Sequence, residues 1–148
     1  LVYRYWLSRR LSMGDRAVMF CGVNPSTADH KVDDPTIRKE VGFARQWGYD
    51  WLYMGNIYAF RSTDPKGLKP LTSPERIGPE NMDALRWMAQ KADLIVAAWG
   101  ATPLCREGQA IAQWLLSLPH CRTLGVTKDG HPKHPLYLPY STTLQANA

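Results

Sequence analysis

Cysteine is scarce in this sequence and follows no recognised spacing. Cys21, Cys105 and Cys121 are odd in number and far apart, so they offer neither a disulfide framework nor a CxxC metal pair. We interpret all three as small buried hydrophobic residues.

Long hydrophobic runs are missing as well. No apolar stretch approaches the roughly 20 residues that a membrane span requires. No secretory leader is recognisable, and since the first residue is Leu1 rather than Met, the natural start is expected to be missing. We expect a cytoplasmic protein that does not contact a membrane. With 148 residues, 45% hydrophobic and 21% charged, the chain is expected to form one domain over residues 1–148 and to act as a monomer.

Acidic residues are outnumbered by basic ones. Lys and Arg total 18 against 13 Asp and Glu, which gives a net charge of +5 and an isoelectric point near 9.2. This moderate excess permits a polyanionic partner such as DNA. Six Trp and seven Tyr residues would suit base stacking where they lie beside basic residues, although most of them are expected in the core.

The motifs of several common enzyme classes are absent. Without GxGxxG or GxxxxGK[ST], neither dinucleotide redox chemistry nor P-loop phosphoryl transfer is expected. There is no HExxH, and His131 and His134 lack partners at ligand spacing, so we predict neither a metal nor a cofactor. A nucleophilic hydrolase remains open, with Ser26 attacking and His134 as base. Asp29 or Asp33 would orient the histidine, but Ser26 does not stand in a GxSxG elbow and is better suited to turn or helix-cap hydrogen bonds.

What the sequence does contain is a regular alternation of buried strands and amphipathic helices. Apolar runs predict four strands, at residues 17–21, 51–54, 93–100 and 122–126. Helical spacing predicts three helices between them, at residues 35–47, 80–91 and 106–118. This alternation is typical of a three-layer α/β/α protein with a mainly parallel four-stranded sheet.

Three further segments flank these elements. Residues 1–11 predict a strand with two dissimilar faces. Residues 61–79 contain four prolines and no periodicity, so they predict a long surface loop. No pattern is recognisable after Tyr140.

The ends of the predicted strands draw attention to four loops. The first strand runs into residues 20–29, FCGVNPSTAD, which combine a permissive glycine, a rigid proline and short polar side chains. Parallel strands joined by right-handed crossovers end at one edge of the sheet, and open α/β sheets bind ligands there. The segments GNIYAFRS, WGATP and GHPKHPLYLP are expected at the same edge. We therefore predict the functional site at this edge.

Four blocks at these strand ends resemble the mismatch-specific uracil-DNA glycosylases. Residues 22–26, GVNPS, resemble their GINPG motif, and residues 55–61, GNIYAFR, resemble their asparagine segment TNVVKCRP. Residues 97–100, AAWG, resemble their LLWG strand, and residues 134–136, HPL, resemble the terminal HPSPL loop. The chain is also similar to a group of bacterial proteins known only as a domain of unknown function, with NPSTAD, DDPTIR, AAWG and HPLYL segments.

The glycosylase resemblance implies a uracil-DNA glycosylase-like fold and a role for each motif. Asn24 would hold the attacking water, and Asn56 would read the N3–H and O4 of a pyrimidine with its amide. His134 would stabilise negative charge on the departing base. Leu136 or Tyr137 would fill the gap that the flipped nucleotide leaves.

The same resemblance implies a base pocket and a DNA-contacting rim. The pocket would be formed by residues at the first two strand ends: Gly22, Val23, Pro25, Ser26, Asn56 and Tyr58. The positive charges that contact phosphates would be Arg61, Lys66 and Lys133. Structural roles compete with these assignments, because loop asparagines often satisfy backbone groups and aromatic residues often pack in the core.

Two departures from the glycosylase pattern shape the hypothesis. Asn24 stands where the fastest uracil excisers have an aspartate, which implies slow or substrate-assisted chemistry. Three cysteines cannot supply the four-cysteine iron–sulfur cluster of the thermophile type. The resemblance implies a DNA repair hydrolase that cleaves the N-glycosidic bond of a damaged or modified, pyrimidine-like base. The alternatives are a non-catalytic module that binds a base or nucleotide, and a hydrolase of free nucleosides.

Overall fold

A sheet of six strands forms the centre of the fold. The computed structural model of the chain describes residues 3–25, 34–61 and 71–147. In chain order the strands are β1 (Leu7–Arg10), β2 (Ala17–Gly22), β3 (Trp51–Asn56), β4 (Leu94–Ala97), β5 (Cys121–Thr123) and β6 (Gln145–Ala146). Their order across the sheet is β1-β3-β2-β4-β5-β6.

The directions of the strands make the sheet mixed. β3, β2, β4 and β5 are parallel, whereas β1 runs antiparallel beside β3 and β6 runs antiparallel beside β5. The four predicted strands are β2 to β5 and are parallel to one another, but the sheet has an antiparallel strand at each edge, so the prediction of a four-stranded, mainly parallel sheet is wrong there. The sequence after Tyr140 gives no signal for β6, because the two residues of this strand are exposed and form no hydrophobic pattern. It pairs with β5, and beside it Asn147 Nδ2 donates to the carbonyls of Leu116 and Cys121 at 3.2 and 3.1 Å.

Among the described residues, four helices accompany the sheet. They are α1 (Pro35–Gln46), α2 (Ser73–Ile77), α3 (Asn81–Lys91) and α4 (Arg106–Ser117). α1, α3 and α4 confirm the three predicted helices. Asp34 caps α1 by accepting from the Ile37 N–H at 2.8 Å, and Pro35 occupies its first turn, where a missing N–H costs nothing. Across the described residues, no helix is long and apolar enough to cross a membrane.

α2 lies inside the segment that was predicted to be a long surface loop. Thr72 caps it by accepting from the Glu75 N–H at 3.3 Å, and Pro74 stands in its first turn. The loop prediction is therefore wrong for residues 73–77, because a capping signal overrides the lack of periodicity in so short a helix. Residues 62–70, which include Lys66, lie outside the described residues.

The core has two halves, one on each face of the sheet. Successive residues of β2 alternate between them: Val18 and Phe20 belong to the cluster that includes α1, and Met19 and Cys21 to the cluster that includes α3 and α4. Five of the six residues of β2 are buried, which explains its uninterrupted apolar sequence. Because helices cover both faces, the polar side chains of the central strands are found at the strand ends.

Candidate functional site

β2 and β3 continue side by side beyond their carboxyl ends. Within the sheet, Gly22 is the register partner of Asn56. Past that pair, the Ile57 N–H donates to the Gly22 carbonyl at 3.0 Å, and the Tyr58 N–H donates to the Val23 carbonyl at 2.8 Å. The two strand-end loops are thereby held in a fixed register.

The side chain of Asn56 contacts the loop that carries Asn24. In the amide orientation that satisfies its neighbours, Nδ2 of Asn56 donates to the backbone carbonyls of Asn24 and Gly55, both at 3.3 Å. Glycine at position 22 makes room for this contact, because a Cβ there would lie 2.9 Å from the Asn56 amide. Asn24 Nδ2 in turn donates to the Pro25 carbonyl at 3.2 Å. The structure therefore brings Asn24 and Asn56 together at one strand end.

This arrangement fixes what Asn56 offers to a ligand. Both amide hydrogens are directed at backbone carbonyls, so the group that remains is the acceptor Oδ1. An acceptor recognises an N–H, such as the N3–H of uracil or the N1–H of hypoxanthine. The donor for a neighbouring base oxygen must then come from another residue.

His134 comes from the last loop and lies beside the end of β4. Gly100, at a φ of +71°, has no side chain, and a Cβ there would lie 3.6 Å from the His134 Cβ. The Leu136 N–H donates to His134 Nδ1 at 3.2 Å, which places the proton of the neutral ring on Nε2. Desolvation by the surrounding protein lowers the pKa of His134, while the charge of Asp34 acts in the opposite direction. His134 is thus a neutral hydrogen-bond donor at pH 7.

The sequence analysis did not include Glu40, a residue of α1 with a buried carboxyl group, among the candidate site residues. Glu40 is only 4% exposed and lies on the face of α1 that also buries Ile37 and Phe43. Burial, and secondarily the charge of Asp34, raises the pKa of Glu40 to about 8, so the carboxyl holds its proton at pH 7. The sequence did contain a signal for this burial. Glu40 lies three residues after Ile37 and three residues before Phe43, on the apolar stripe of the helix.

Asp34 interacts electrostatically with both Glu40 and His134. It caps α1, which follows β2 and so begins at the carboxyl edge of the parallel strands. Its charge acts on the pKa of both Glu40 and His134. Of these groups, His134 lies just past the carboxyl end of β4, beside Gly100.

Tyr58 lies in the core. It is 3% exposed, and its hydroxyl accepts from the Cys105 N–H at 2.8 Å. Cys105 Sγ accepts from the Gly108 N–H at 3.3 Å and so caps α4. Cys21 and Cys121 are buried as predicted, but Cys105 is half-buried and caps a helix, so its interpretation as a buried hydrophobic residue is wrong. The role of Tyr58 in base binding stays a prediction.

The remaining predicted site residues differ in exposure. Val23 and Leu136 are half-buried and Pro25 is buried. The exposed ones are Arg61, Lys133 and Tyr137. Outside the described residues lie Ser26, Asp29, Asp33 and Lys66, so the nucleophilic role of Ser26 stays a prediction. Within residues 3–25, 34–61 and 71–147, no three His, Cys, Asp or Glu side chains are grouped to hold a metal ion.

Asn81 anchors the exit of β3. It is fully buried at the start of α3, and its Nδ2 donates to the carbonyls of Asn56 and Ile57 at 2.9 and 3.0 Å. We expect Asn81→Leu to lower the free energy of unfolding by about 2–3 kcal/mol, because two carbonyls lose a buried donor. Urea denaturation followed by circular dichroism measures this loss.

The matched control for Asn81 lies on the same helix. Gln90→Leu removes an amide from an exposed position of α3 and is expected to change the free energy of unfolding by less than about 0.5 kcal/mol. If Asn81→Leu unfolds at the same urea concentration as the wild type, the two hydrogen bonds do not stabilise the exit of β3.

The region of the chain that matches a known protein family includes all four strand-end blocks. A family model described as "Protein of unknown function (DUF1643)" matches residues 4–136 of the chain. No curated protein and no solved structure matches the chain. The family match confirms the resemblance to a domain of unknown function, and the resemblance to uracil-DNA glycosylases stays a prediction.

Proposed function

We propose that this chain, which belongs to the DUF1643 family of proteins of unknown function, is a DNA glycosylase-like hydrolase. It cleaves the N-glycosidic bond of a damaged or modified base that is flipped into a pocket at the strand ends. The observation that carries this proposal is the 3.3 Å contact between Asn56 Nδ2 and the Asn24 carbonyl, which joins two of the four motif-bearing loops. Core clusters on both faces of the sheet support a three-layer α/β/α fold of the uracil-DNA glycosylase kind.

Hydrolysis of an N-glycosidic bond makes three demands on the site. The base must leave the stack and be recognised on its pairing edge. A water must reach the sugar carbon, and a donor must meet the charge that develops on the departing base. Asn24 positions the water, Asn56 Oδ1 accepts from the base N–H, and the Nε2–H of His134 donates to the base oxygen. An acceptor and a donor together match a lactam edge, in which an N–H stands beside a C=O.

Slow chemistry is expected at this site, because Asn24 carries an amide, which cannot act as a general base towards water. The reaction then depends on positioning of the water and on stabilisation of the leaving base.

The test is the formation of abasic sites. The protein is incubated with oligonucleotides that carry uracil, hypoxanthine or a modified base, and abasic sites are detected by alkaline strand cleavage. Wild-type protein is expected to form them, and Asn24→Ala is expected to be roughly 100-fold slower. Met13→Ala, at an 88% exposed position before β2, is the control and should retain full activity. If no substrate yields abasic sites at several salt concentrations, the enzymatic proposal fails.

A non-catalytic module that reads the same lactam edge is the second candidate. The observation that favours it is the side chain of Asn24, whose amide donates to the Pro25 carbonyl at 3.2 Å and offers no carboxylate to activate water. This candidate predicts base-dependent binding that Asn56→Ala abolishes, together with no abasic sites at stoichiometric protein. Turnover by the wild type would exclude it.

A further inference from the structure

A separate cavity of about 570 Å³ lies between the segment before β1 and the start of α3. Its walls are formed chiefly by Tyr3, Arg4, Tyr5, Trp6, Arg61 and Glu80. Pockets that hold small ligands commonly measure roughly 300–1,000 Å³. The volume is therefore sufficient for a nucleobase with its sugar and phosphate.

Aromatic rings dominate one wall of this cavity. Tyr3 and Tyr5 stack on each other, with ring centroids 5.5 Å apart and an interplanar angle of 17°. Trp6 is 49% exposed, and its ring lies 4.7 Å from that of Trp87, which supports it from α3. A large aromatic ring held in place but open to solvent is the usual platform on which an unpaired base stacks.

The charged groups of the cavity favour a phosphodiester over a phosphate monoester. Arg4 and Arg61 contribute cationic side chains, and Glu80 and Asp83 contribute carboxylates on the α3 side, of which Asp83 also pairs with Arg86 at 3.6 Å. The carboxylates disfavour the dianionic phosphate of a free mononucleotide more than a phosphodiester. Bases inside a duplex present no free face to the rings, so a paired strand is disfavoured too.

The cavity adjoins the strand-end site through β3. The Arg4 N–H donates to the Ala59 carbonyl at 2.8 Å, and Tyr3 pairs with Phe60, so the aromatic segment runs along the chain that leaves β3. Arg61 is five residues after Asn56, which limits their Cα separation to roughly 18 Å at most. A strand that places one base at Asn56 can therefore reach the cavity with a nearby nucleotide.

We propose that this cavity binds one unpaired nucleotide of single-stranded DNA, with its base stacked on the Trp6 ring and its phosphate beside Arg61. The inference goes beyond glycosidic hydrolysis, because it concerns how the strand is held. It applies to DNA that carries no target base.

The test measures binding of fluorescently labelled oligothymidylate of twelve nucleotides by anisotropy. Trp6→Ala is expected to weaken binding roughly tenfold through the lost stacking, and Trp6→Phe is expected to recover most of it. Arg61→Gln is expected to lower the slope of log Kd against log salt by about 0.7. Arg10→Gln is the charge-matched control, because Arg10 lies over Trp51 at 4.4 Å and outside the cavity, and its slope should change less. Near-ultraviolet circular dichroism confirms that each variant is folded.

Three results would overturn the inference. They are unchanged affinity in Trp6→Ala, equal loss of salt dependence in Arg61→Gln and Arg10→Gln, and competition by thymidine monophosphate as strong as that by the oligonucleotide. Failure of the glycosylase proposal is recognised separately. Binding that depends on Trp6 without abasic sites removes the enzyme and keeps the cavity, whereas abasic sites with Trp6-independent binding do the reverse.

Discussion

Replacing Glu40 with glutamine is expected to raise the free energy of unfolding by on the order of 3–5 kcal/mol at pH 9 and to leave it nearly unchanged at pH 4. The folded-state pKa of Glu40 is raised by burial, and then by Asp34, to about 8. The unfolded chain therefore loses this proton near pH 4.5, while the folded protein keeps it up to about pH 8. Wild-type stability falls as the pH rises through that window, and an uncharged glutamine removes the fall.

Guanidinium denaturation of both proteins from pH 4 to pH 9 measures this difference. Glu80→Gln is the control, since Glu80 is exposed and the substitution should shift the free energy of unfolding by less than about 0.5 kcal/mol at either pH. A Glu40→Gln difference that stays the same at pH 4 and pH 9 would contradict the raised pKa. If the variant is more stable and less active, Glu40 serves the site at a cost in stability.

Replacing His134 with alanine is expected to slow base release roughly 100-fold, because the leaving base loses its hydrogen-bond donor. His134→Gln should retain part of the activity, since an amide also donates. Between pH 6.5 and 7.5 the wild-type rate constant should not fall as the pH rises. The pKa of His134 lies below its ordinary value, because desolvation outweighs the charge of Asp34, so the neutral ring predominates in that range.

Single-turnover rates for His134 variants over this range test the neutral donor. A wild-type rate that declines as the pH rises through 6.5, and that becomes flat in His134→Gln, would show that the charged imidazolium acts instead. Equal rates for wild type and His134→Ala would remove the residue from the mechanism.

Local signals made most of the fold predictable. Asp34 and Pro35 mark the start of α1, and Gly48, at a φ of +82°, stands just after its end. The apolar run of β2 marks a strand covered on both faces. The strand predicted within residues 1–11 is confirmed as β1, whereas β6 was not predicted, because it exists only through its pairing with β5.

The site was predictable where topology brings loops together. Parallel strands end at one edge, so Asn24 and Asn56 are expected to be neighbours, and they are in contact. Three features could not be predicted because they depend on tertiary packing. They are the hydrogen bonds of the Asn56 amide, the hydrogen bonds of Asn81 and the burial of Glu40. A helical stripe in a single sequence shows that Glu40 is near the apolar face, and only the packed helix shows that its carboxyl loses water.

The two edge strands also determine how one molecule meets another. The parallel strands at the centre are the most hydrophobic segments of the chain, and an uncovered one would template strand addition and aggregation. On one side an approaching molecule meets β1, which carries Arg9 and Arg10 along a four-residue edge. On the other side it meets β6, only two residues long and fully exposed, in place of β5. Edge strands that are short or charged disfavour the addition of a strand from a second molecule.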